Sequence, residues 1–541
     1  MNTRQVYDLY KQKILDKNIV AKLAHMSEQQ IQENFSSSLE FGTAGMRGVM
    51  QLGTNCINEL TVAKLAQSVS EYLKNNYSKP SCVVCFDTRL NSKTYSRIFA
   101  NVLDYNGIET YLFKDFAPTP LSIFAIKEYH TTLGVMITAS HNPKKYNGIK
   151  VCDCNGIQID KTVQQEISNI FNNTDEIEVY NKIYDRKLSE DVVFITKDLQ
   201  TKFIGDNVDK TSKNLKIIYT PLNGTGYYCV STLLKNNGFK FICPNTQKNP
   251  NGNFPTCPYP NPEFIEAFAQ SLSVAKKKYS DIIVATDPDA DRMGVMVKHH
   301  GEYIKLSGNE VGYIFADYLL QKNNNPNKFV VTTVVTSPLI DEICKFHNAT
   351  LYKTLTGFMS LGIKTRDLTE RYGEDAFVLE YEESCGYVVN SKYYDKDGIY
   401  ATLLICQIAN ELKSQNKTLI DYLNDIYEKT TYLCDMNDSV KFSGVDCNQQ
   451  MSMVIDELRK NPPKTIGEYS IEKVVDYLYD DTGVPQQNFL EYYATNGLKF
   501  ILRPSGTEPK LKIYLFHKGK NQRETQDKAA KVLSQVKALL Q

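Results

Sequence analysis

Asp287, Asp289 and Asp291 sit at alternate positions in Asp287-Pro288-Asp289-Ala290-Asp291-Arg292. Three carboxylates this close repel one another when ionised unless a hard divalent cation lies between them. An EF-hand calcium loop uses the same spacing. Its sixth position should be Gly and its twelfth Glu, where this chain has Arg292 and Lys298, so that reading fails. Two readings remain: a solvated acidic turn, or a set of monodentate ligands with open positions for Mg2+ and a phosphoryl oxygen.

Ser140 lies in Thr138-Ala139-Ser140-His141-Asn142-Pro143, upstream of Asn147-Gly148-Ile149-Lys150. A serine hydroxyl is a weak nucleophile without a base or metal beside it, and His141 and Lys150 are the local options. There is no GxSxG elbow and no third group to orient the histidine, so a triad is not indicated. Taken alone, Ser140 reads as a turn residue. Arg503-Pro504-Ser505-Gly506-Thr507 combines a guanidinium, two hydroxyls and a glycine, the makings of a phosphate cradle or of a plain turn. Glu382-Glu383-Ser384-Cys385-Gly386 offers acceptors suited to vicinal sugar hydroxyls, or an exposed turn. The Gly-rich run Phe41 to Gly48, with Arg47, lacks a P-loop lysine and a dinucleotide fingerprint.

Elements must deliver these loops. Each follows an apolar strand-like run: Leu133 to Ile137, Asp281 to Ala285, Ala376 to Leu379 and Lys499 to Leu502. Such runs alternate along the chain with helix-period segments, which predicts α/β layers with largely parallel strands. Ligand groups gather beyond the carboxyl ends of strands in such sheets, so the four loops are expected to share one cleft. Asn245 to Pro262, rich in Asn and Pro, reads as a surface loop that could also touch another domain, and Ala529, Val532, Leu533, Val536, Leu539 and Leu540 form the stripe of a packing helix.

The chain has 541 residues, 42% apolar and 23% charged, with 62 basic and 62 acidic side chains. That length exceeds what one core usually serves, so three or four domains are expected. The balanced charge supplies no global field for nucleic acid or an anionic membrane. No apolar run approaches the length of a membrane span and no secretory h-region opens the chain, so a cytoplasmic location is expected. Thirteen scattered cysteines fit reduced, buried thiols, and Cys82-Val83-Val84-Cys85 reads as strand packing.

In this order, GTAGMRG, TASHNPKKYNGIK, DPDADR, EESCG and RPSGTEP resemble the α-D-phosphohexomutase superfamily of phosphoglucomutases and phosphomannomutases. The motifs span Gly42 to Pro509. With Tyr219 to Gly226 and Pro260 to Glu263, the chain is most similar to the longer phosphoglucomutase branch that includes phosphopentomutases. The resemblance implies three related mixed-sheet α/β domains and a smaller C-terminal α+β domain around a central cleft. We expect domain I at 1–190, II at 191–306, III at 307–434 and IV at 435–541.

It also implies roles. Ser140 matches the phosphorylated serine and an Mg2+ ligand; Asp287, Asp289 and Asp291 match the other ligands. Glu382 and Ser384 match sugar-hydroxyl contacts, and Arg503, Ser505, Gly506 and Thr507 the loop for the non-reacting phosphate. Arg47, His141, Lys150 and Arg292 match basic groups around the reacting phosphoryl, Lys150 being the preferred base and Lys396 a second acid/base candidate. Asn223 and Met359 depart from the pattern, where relatives carry His and Lys. The implied activity interconverts glucose 1-phosphate and glucose 6-phosphate through a phosphoserine, with one Mg2+ per chain and glucose 1,6-bisphosphate as activator and intermediate. Pentose or mannose phosphates, or synthesis of a sugar bisphosphate, are the alternatives. The partner is a small sugar phosphate, and a monomer or homodimer is expected.

Overall fold

The computed structural model describes residues 2–41, 45–205, 213–442, 447–505 and 510–540. They fall into two compact units, Met1–Lys305 with Gly386–Lys413, and Leu306–Cys385 with Ser414–Gln541.

The first unit holds two mixed sheets. One contains β1 (Met46–Val49), β2 (Ser81–Phe86), β3 (Glu109–Phe113), β4 (Leu133–Ile137), β5 (Tyr146–Asp153) and β6 (Val193–Ile195), in the order β1-β5-β4-β2-β3-β6. The strands β4, β2, β3 and β6 run parallel, β5 pairs antiparallel with β4, and β1 pairs antiparallel with β5. Every residue of β2 and β4 is buried, as expected of parallel strands covered on both faces. Cys82 and Cys85 are part of this packing, and burial pushes both thiols well above their ordinary range. The thirteen cysteines are thiols, ten of them buried. The second sheet contains β7 (Lys216–Thr220), β8 (Lys240–Ile242), β9 (Ile282–Thr286), β10 (Met293–His299) and β11 (Glu302–Lys305), in the order β11-β10-β9-β7-β8.

The segment Asn245 to Pro262, expected as a surface loop that could touch another domain, is exposed along much of its length and does meet the first sheet. Gln247, Phe254 and Asn261 are buried, Gly252 bridges to Arg89, and the Arg89 guanidinium lies 5.2 Å from the Phe254 ring centre. Its prolines and asparagines shape an irregular backbone that still has an apolar anchor.

In the second unit, β12 (Phe329–Thr333) pairs in parallel with β13 (Thr350–Thr354) and β14 (Phe377–Glu382). The helix Gly308–Lys322 covers β14 closely. A Cβ on Gly312 would lie 2.3 Å from the Tyr381 ring, so only glycine lets backbone and ring meet. The short strand β15 (Gly386–Val388) belongs with the first unit. The C-terminal sheet is antiparallel: β16 (Tyr432–Lys441), β17 (Thr465–Ile466), β18 (Tyr469–Asp476), β19 (Leu490–Ala494), β20 (Leu498–Pro504) and β21 (Lys510–Gly519), in the order β16-β21-β20-β19-β18-β17.

Helices Cys447–Lys460 and Gln522–Leu539 contribute Ile455, Leu458, Ala529, Val532 and Val536 to one core on that sheet. Leu539 leaves the expected stripe and is 36% exposed, since Leu540, about 100° further round, takes the buried place. Mixed α/β sheets plus a C-terminal α+β sheet are the fold class anticipated. Arg503, however, lies within an antiparallel hairpin strand, so the strand-end rule that located the other loops does not reach it.

Adding a methyl at Gly312 forces ring and helix apart. We expect Gly312→Ala to lower the unfolding free energy by about 1–3 kcal/mol, read as a reduced urea midpoint at unchanged slope. An unchanged midpoint would mean that the ring has room to move.

Candidate active site

Ser140 is presented by a turn that begins where β4 ends. The Thr138 hydroxyl accepts the Ser140 N–H at 2.8 Å and donates to Asp87 Oδ2 at 2.7 Å. Ser140 takes a left-handed φ of 50°, which aims its hydroxyl away from the strand. The turn reading and the functional reading are therefore the same geometry. On the other sheet, β9 ends at Thr286 and releases the acidic loop, which turns through Ala290 at φ 53°. Asp287 Oδ1 accepts the Arg292 N–H at 3.1 Å and closes the loop. The two loops meet directly: Ser140 Oγ donates to Asp287 Oδ2 at 2.8 Å, with Ser140 only 2% exposed.

Basic groups surround this contact. Lys150, on β5, donates to Asp289 Oδ2 and Asp291 Oδ2, each at 2.7 Å. The Lys396 ammonium lies 3.0 Å from Asp395 Oδ1 and 3.6 Å from Asp291 Oδ2. Arg292 Nη1 donates to Glu263 at 2.5 Å. Arg47, on β1 opposite Gly148, is near enough to the three aspartates for their charge to act on it. His141 Nδ1 lies 3.2 Å from Ser140 Oγ.

Charge and burial compete here. Burial, then Asp289 and Asp291, pushes the Asp287 carboxyl well above the usual range. Burial acts the same way on Asp289 and Asp291, but Lys150 overcomes it and holds both below that range. Burial alone would lower the Lys150 ammonium; Asp289, Asp291 and Asp395 outweigh it and hold the group charged. His141 is kept neutral by burial and by Arg292 and Arg47.

The donor set fits a hard cation. One oxygen from each of Asp287, Asp289 and Asp291 lies within 4.8 Å of the others. Asp289 Oδ1 and Asp291 Oδ1 are buried without a hydrogen-bond partner, a costly state for a carboxylate that a cation relieves.

Several residues were not anticipated. Arg89 donates to the carbonyls of Ser140 at 2.5 Å, Asn142, and Pro143 and Tyr146 at 3.1 Å each, and so clamps the serine turn. Its Nε lies 3.3 Å from Asp87 Oδ2, and both side chains are fully buried. Asp87-Thr88-Arg89 follows β2 directly, so the strand-end criterion applied to the other loops would have found it. Thr119 donates to Asp289 Oδ2 at 2.8 Å, with no local signal in its sequence. Gly224 lies against the acidic loop, where a Cβ would meet Pro288 Cα at 2.4 Å, and the Thr225 N–H donates to Pro288 O at 2.8 Å. The departure at Asn223 is structural: at φ 60°, its amide donates to the carbonyls of Thr246 and Asn249.

Ser140, His141, Lys150, Arg47, Arg292, Lys396 and the three aspartates thus come together in the first unit. In the second, Glu382 ends β14, Ser384 follows it, and Arg503 lies on β20 with Ser505 after it. The Ser505 N–H donates to Lys510 O at 2.9 Å. Burial, then Glu383, raises the Tyr514 hydroxyl, and Arg503 and Glu382 also act on it, so both loops of this unit border that side chain. Met359 is half-buried at the start of the helix Phe358–Tyr372. Gly42, Thr43, Ala44, Gly506 and Thr507 lie outside the described residues.

Residues 38–178, 197–301 and 307–430 match phosphoglucomutase/phosphomannomutase alpha/beta/alpha domains I, II and III respectively. A phosphoglucomutase of Staphylococcus haemolyticus is 34% identical over 529 residues, covering 93% of this chain and 95% of the relative. The chain belongs to the phosphoglucomutase/phosphomannomutase family. It is a phosphotransferase enzyme, a phosphohexose mutase. Among solved structures, a family protein from Burkholderia thailandensis superposes with a TM-score of 0.69 at 18% identity, covering 92% of this chain and 97% of that one. The N-acetylphosphoglucosamine mutase of Aspergillus fumigatus, solved in complex with GlcNAc-6P and magnesium, has a TM-score of 0.52 at 14% identity, over 93% and 96%. Among the described residues of the mutase, no helix is long and apolar enough to cross a membrane.

Two expectations follow from this geometry. Arg89→Ala frees four carbonyls of the serine turn, and we expect kcat to fall on the order of 100-fold with the far-ultraviolet circular dichroism unchanged; a wild-type kcat would show that the turn holds without the clamp. Asp397, next to Lys396, caps the helix Gly398–Ser414 through N–H bonds from Ile399 and Tyr400 at 2.9 and 3.0 Å. Burial pushes its carboxyl up to about 7, against those two bonds. The folded state therefore holds a proton that the unfolded chain has already released. This contribution is full below the ordinary carboxylate value and is lost as pH rises through about 7. The wild type should lose on the order of 1–4 kcal/mol relative to Asp397→Asn between about pH 4 and pH 8, measured by denaturant titration at both pH values. Parallel profiles for the two proteins would refute the assignment.

Proposed function

We propose that the mutase interconverts glucose 1-phosphate and glucose 6-phosphate, with Ser140 as the phosphoryl carrier. The observation that carries this reading is the hydrogen bond of 2.8 Å from Ser140 Oγ to Asp287 in a buried loop with two further carboxylates and surrounding cations. Asp287, Asp289 and Asp291, with Ser140, would hold Mg2+, which supplies Lewis-acid neutralisation of phosphoryl oxygens when bound. The two aspartate oxygens that lack a hydrogen-bond donor and the magnesium named for the Aspergillus relative support that assignment.

In the forward direction the bond from Ser140 Oγ to phosphorus breaks while one from a sugar hydroxyl oxygen forms, giving a sugar bisphosphate. Lys150 enters charged and donates its proton to the departing Ser140 Oγ. The amine so formed accepts the proton of the attacking hydroxyl, so Lys150 ends as it began. Lys396 is the second candidate for this task. Arg47 and Arg292 stabilise the negative charge spread over the transferring group. Neutral His141 orients Ser140 Oγ.

Glu382 and Ser384 are assigned the sugar hydroxyls, and Arg503, Ser505, Gly506 and Thr507 the phosphate that is not reacting. The bisphosphate turns end for end and returns its other phosphate to Ser140, and glucose 1,6-bisphosphate primes the serine. That the relatives are named phosphoglucomutases supports glucose phosphates over pentose or mannose phosphates as the substrate. We place the mutase in the cytoplasm, where its thirteen thiols stay reduced.

Conversion of glucose 1-phosphate, with Mg2+ and a trace of glucose 1,6-bisphosphate, tests the reading. Ser140→Ala should lose activity by a factor on the order of 10³ or more, and Asp289→Asn should raise the Mg2+ requirement by about 10- to 100-fold. Full activity of Ser140→Ala would sink the carrier role. A panel of glucose, mannose and ribose phosphates, compared by kcat/KM, decides the substrate.

A further inference from the structure

A second pocket opens at the carboxyl ends of β2, β3 and β6, in the same sheet as Ser140, with a volume of about 370 Å³. Its floor is apolar, made by Phe86 and Phe113, the last residues of β2 and β3, with Leu112; all three are at most 5% exposed. Three cations stand on its rim: Lys93 and Arg97 from the helix Ser92–Tyr105, and Lys114 just past β3. Among the described residues, their side chains make no hydrogen bond, ion pair or ring contact. Phe194, on the edge strand β6, forms a wall and is 48% exposed.

These features select a ligand. Three unpaired cations at one mouth call for a dianion such as a phosphate monoester. The rest of the ligand cannot be a sugar alone. Ser96 and Thr196 already donate, to Lys93 O at 2.9 Å and to Asp198 at 3.0 Å, so the lining hydroxyls offer a sugar only their acceptor lone pairs, and the phenyl floor offers it no polar partner. A planar apolar body, in contrast, can stack on Phe194 over the floor. The volume lies at the small-ligand end of the usual pocket range.

We infer that this pocket is a nucleotide site, binding a nucleoside monophosphate with its phosphate among Lys93, Arg97 and Lys114 and its base against Phe194. It is separate from the serine and acidic loops. It borders the Asp87–Arg89 clamp through Phe86 and through Ser92, whose hydroxyl donates to Asp87 Oδ1 at 2.8 Å.

Calorimetric titration of the full chain with AMP, adenosine and inorganic phosphate tests the inference. AMP is expected to bind one per chain, at least about tenfold more tightly than either fragment. The double variant Arg97→Ala/Lys114→Ala should weaken AMP at least about tenfold while leaving mutase kcat unchanged. Phe194→Ala should weaken AMP and leave inorganic phosphate as in the wild type. Absence of saturable AMP binding overturns the site. So does AMP affinity unaltered in the double variant, which would place the nucleotide elsewhere, and inorganic phosphate matching AMP would overturn the nucleotide class.

Discussion

The dominant constraint on this protein is the repulsion among three carboxylates held within 4.8 Å in a buried loop. Two like charges about 4 Å apart cost roughly 4 kcal/mol even at an effective dielectric constant of 20, and burial raises that cost. The surrounding sequence answers it. Lys150 is carried into the core by β5, where an ammonium alone would be unfavourable, and is tolerated because it meets two aspartates at once. Lys396 meets Asp291 from a third segment of the unit. The charges settle into one site because none of them is affordable apart.

Neutralisation by protein cations alone is incomplete. Asp287 still sits well above the usual carboxylate range, and two aspartate oxygens have no donor. A loop built only for stability would have filled those positions with hydroxyls or amides, as Asp87 does with Arg89, Ser92 and Thr138. The contrast between the fully bonded Asp87 and the under-bonded Asp289 and Asp291 separates the residue that shapes the turn from those that remain open to a cation. The backbone shows a similar division. Left-handed φ values at Ser140, Leu222, Asn223 and Ala290, each costing about 1–2 kcal/mol outside glycine, cluster where the loops meet. They are held there by Thr138, Arg89 and the close approach of Gly224 to Pro288.

Much of this was legible in the sequence because the signals were local. Apolar runs ending in Asp, Ser or Glu marked β4, β9 and β14 and the loops they carry, and the spacing of the aspartates already raised the cation question. What stayed hidden was pairing across long separations. Arg89 acts 51 residues away on Ser140, and Thr119 acts 170 residues away on Asp289. The end of β2 marks the loop that carries Arg89 but not its target, and nothing near Thr119 in the sequence announces it. The rule of parallel strand ends also failed for Arg503, which lies in an antiparallel hairpin, and hid Tyr514 on the adjoining strand. Composition placed the segment after Asn245 at the surface and left its contact with another domain open; it reports backbone irregularity and not the anchor, which is Phe254, buried against Arg89.

Burial of the serine bears on why transfer to a sugar would prevail over hydrolysis. A phosphoserine exposed to solvent has water as its most abundant acceptor. Ser140 is 2% exposed and the three aspartates at most 1%, so bulk water has little access from the protein side. A substrate hydroxyl brought in by binding energy at the sugar and at the second phosphate reaches the phosphorus at an effective concentration that water excluded from the site does not match. On the proposed reading, the apolar strands that bury the charges therefore do two things: they raise the cost of leaving the aspartates uncompensated, and they make the compensated site selective for a bound acceptor.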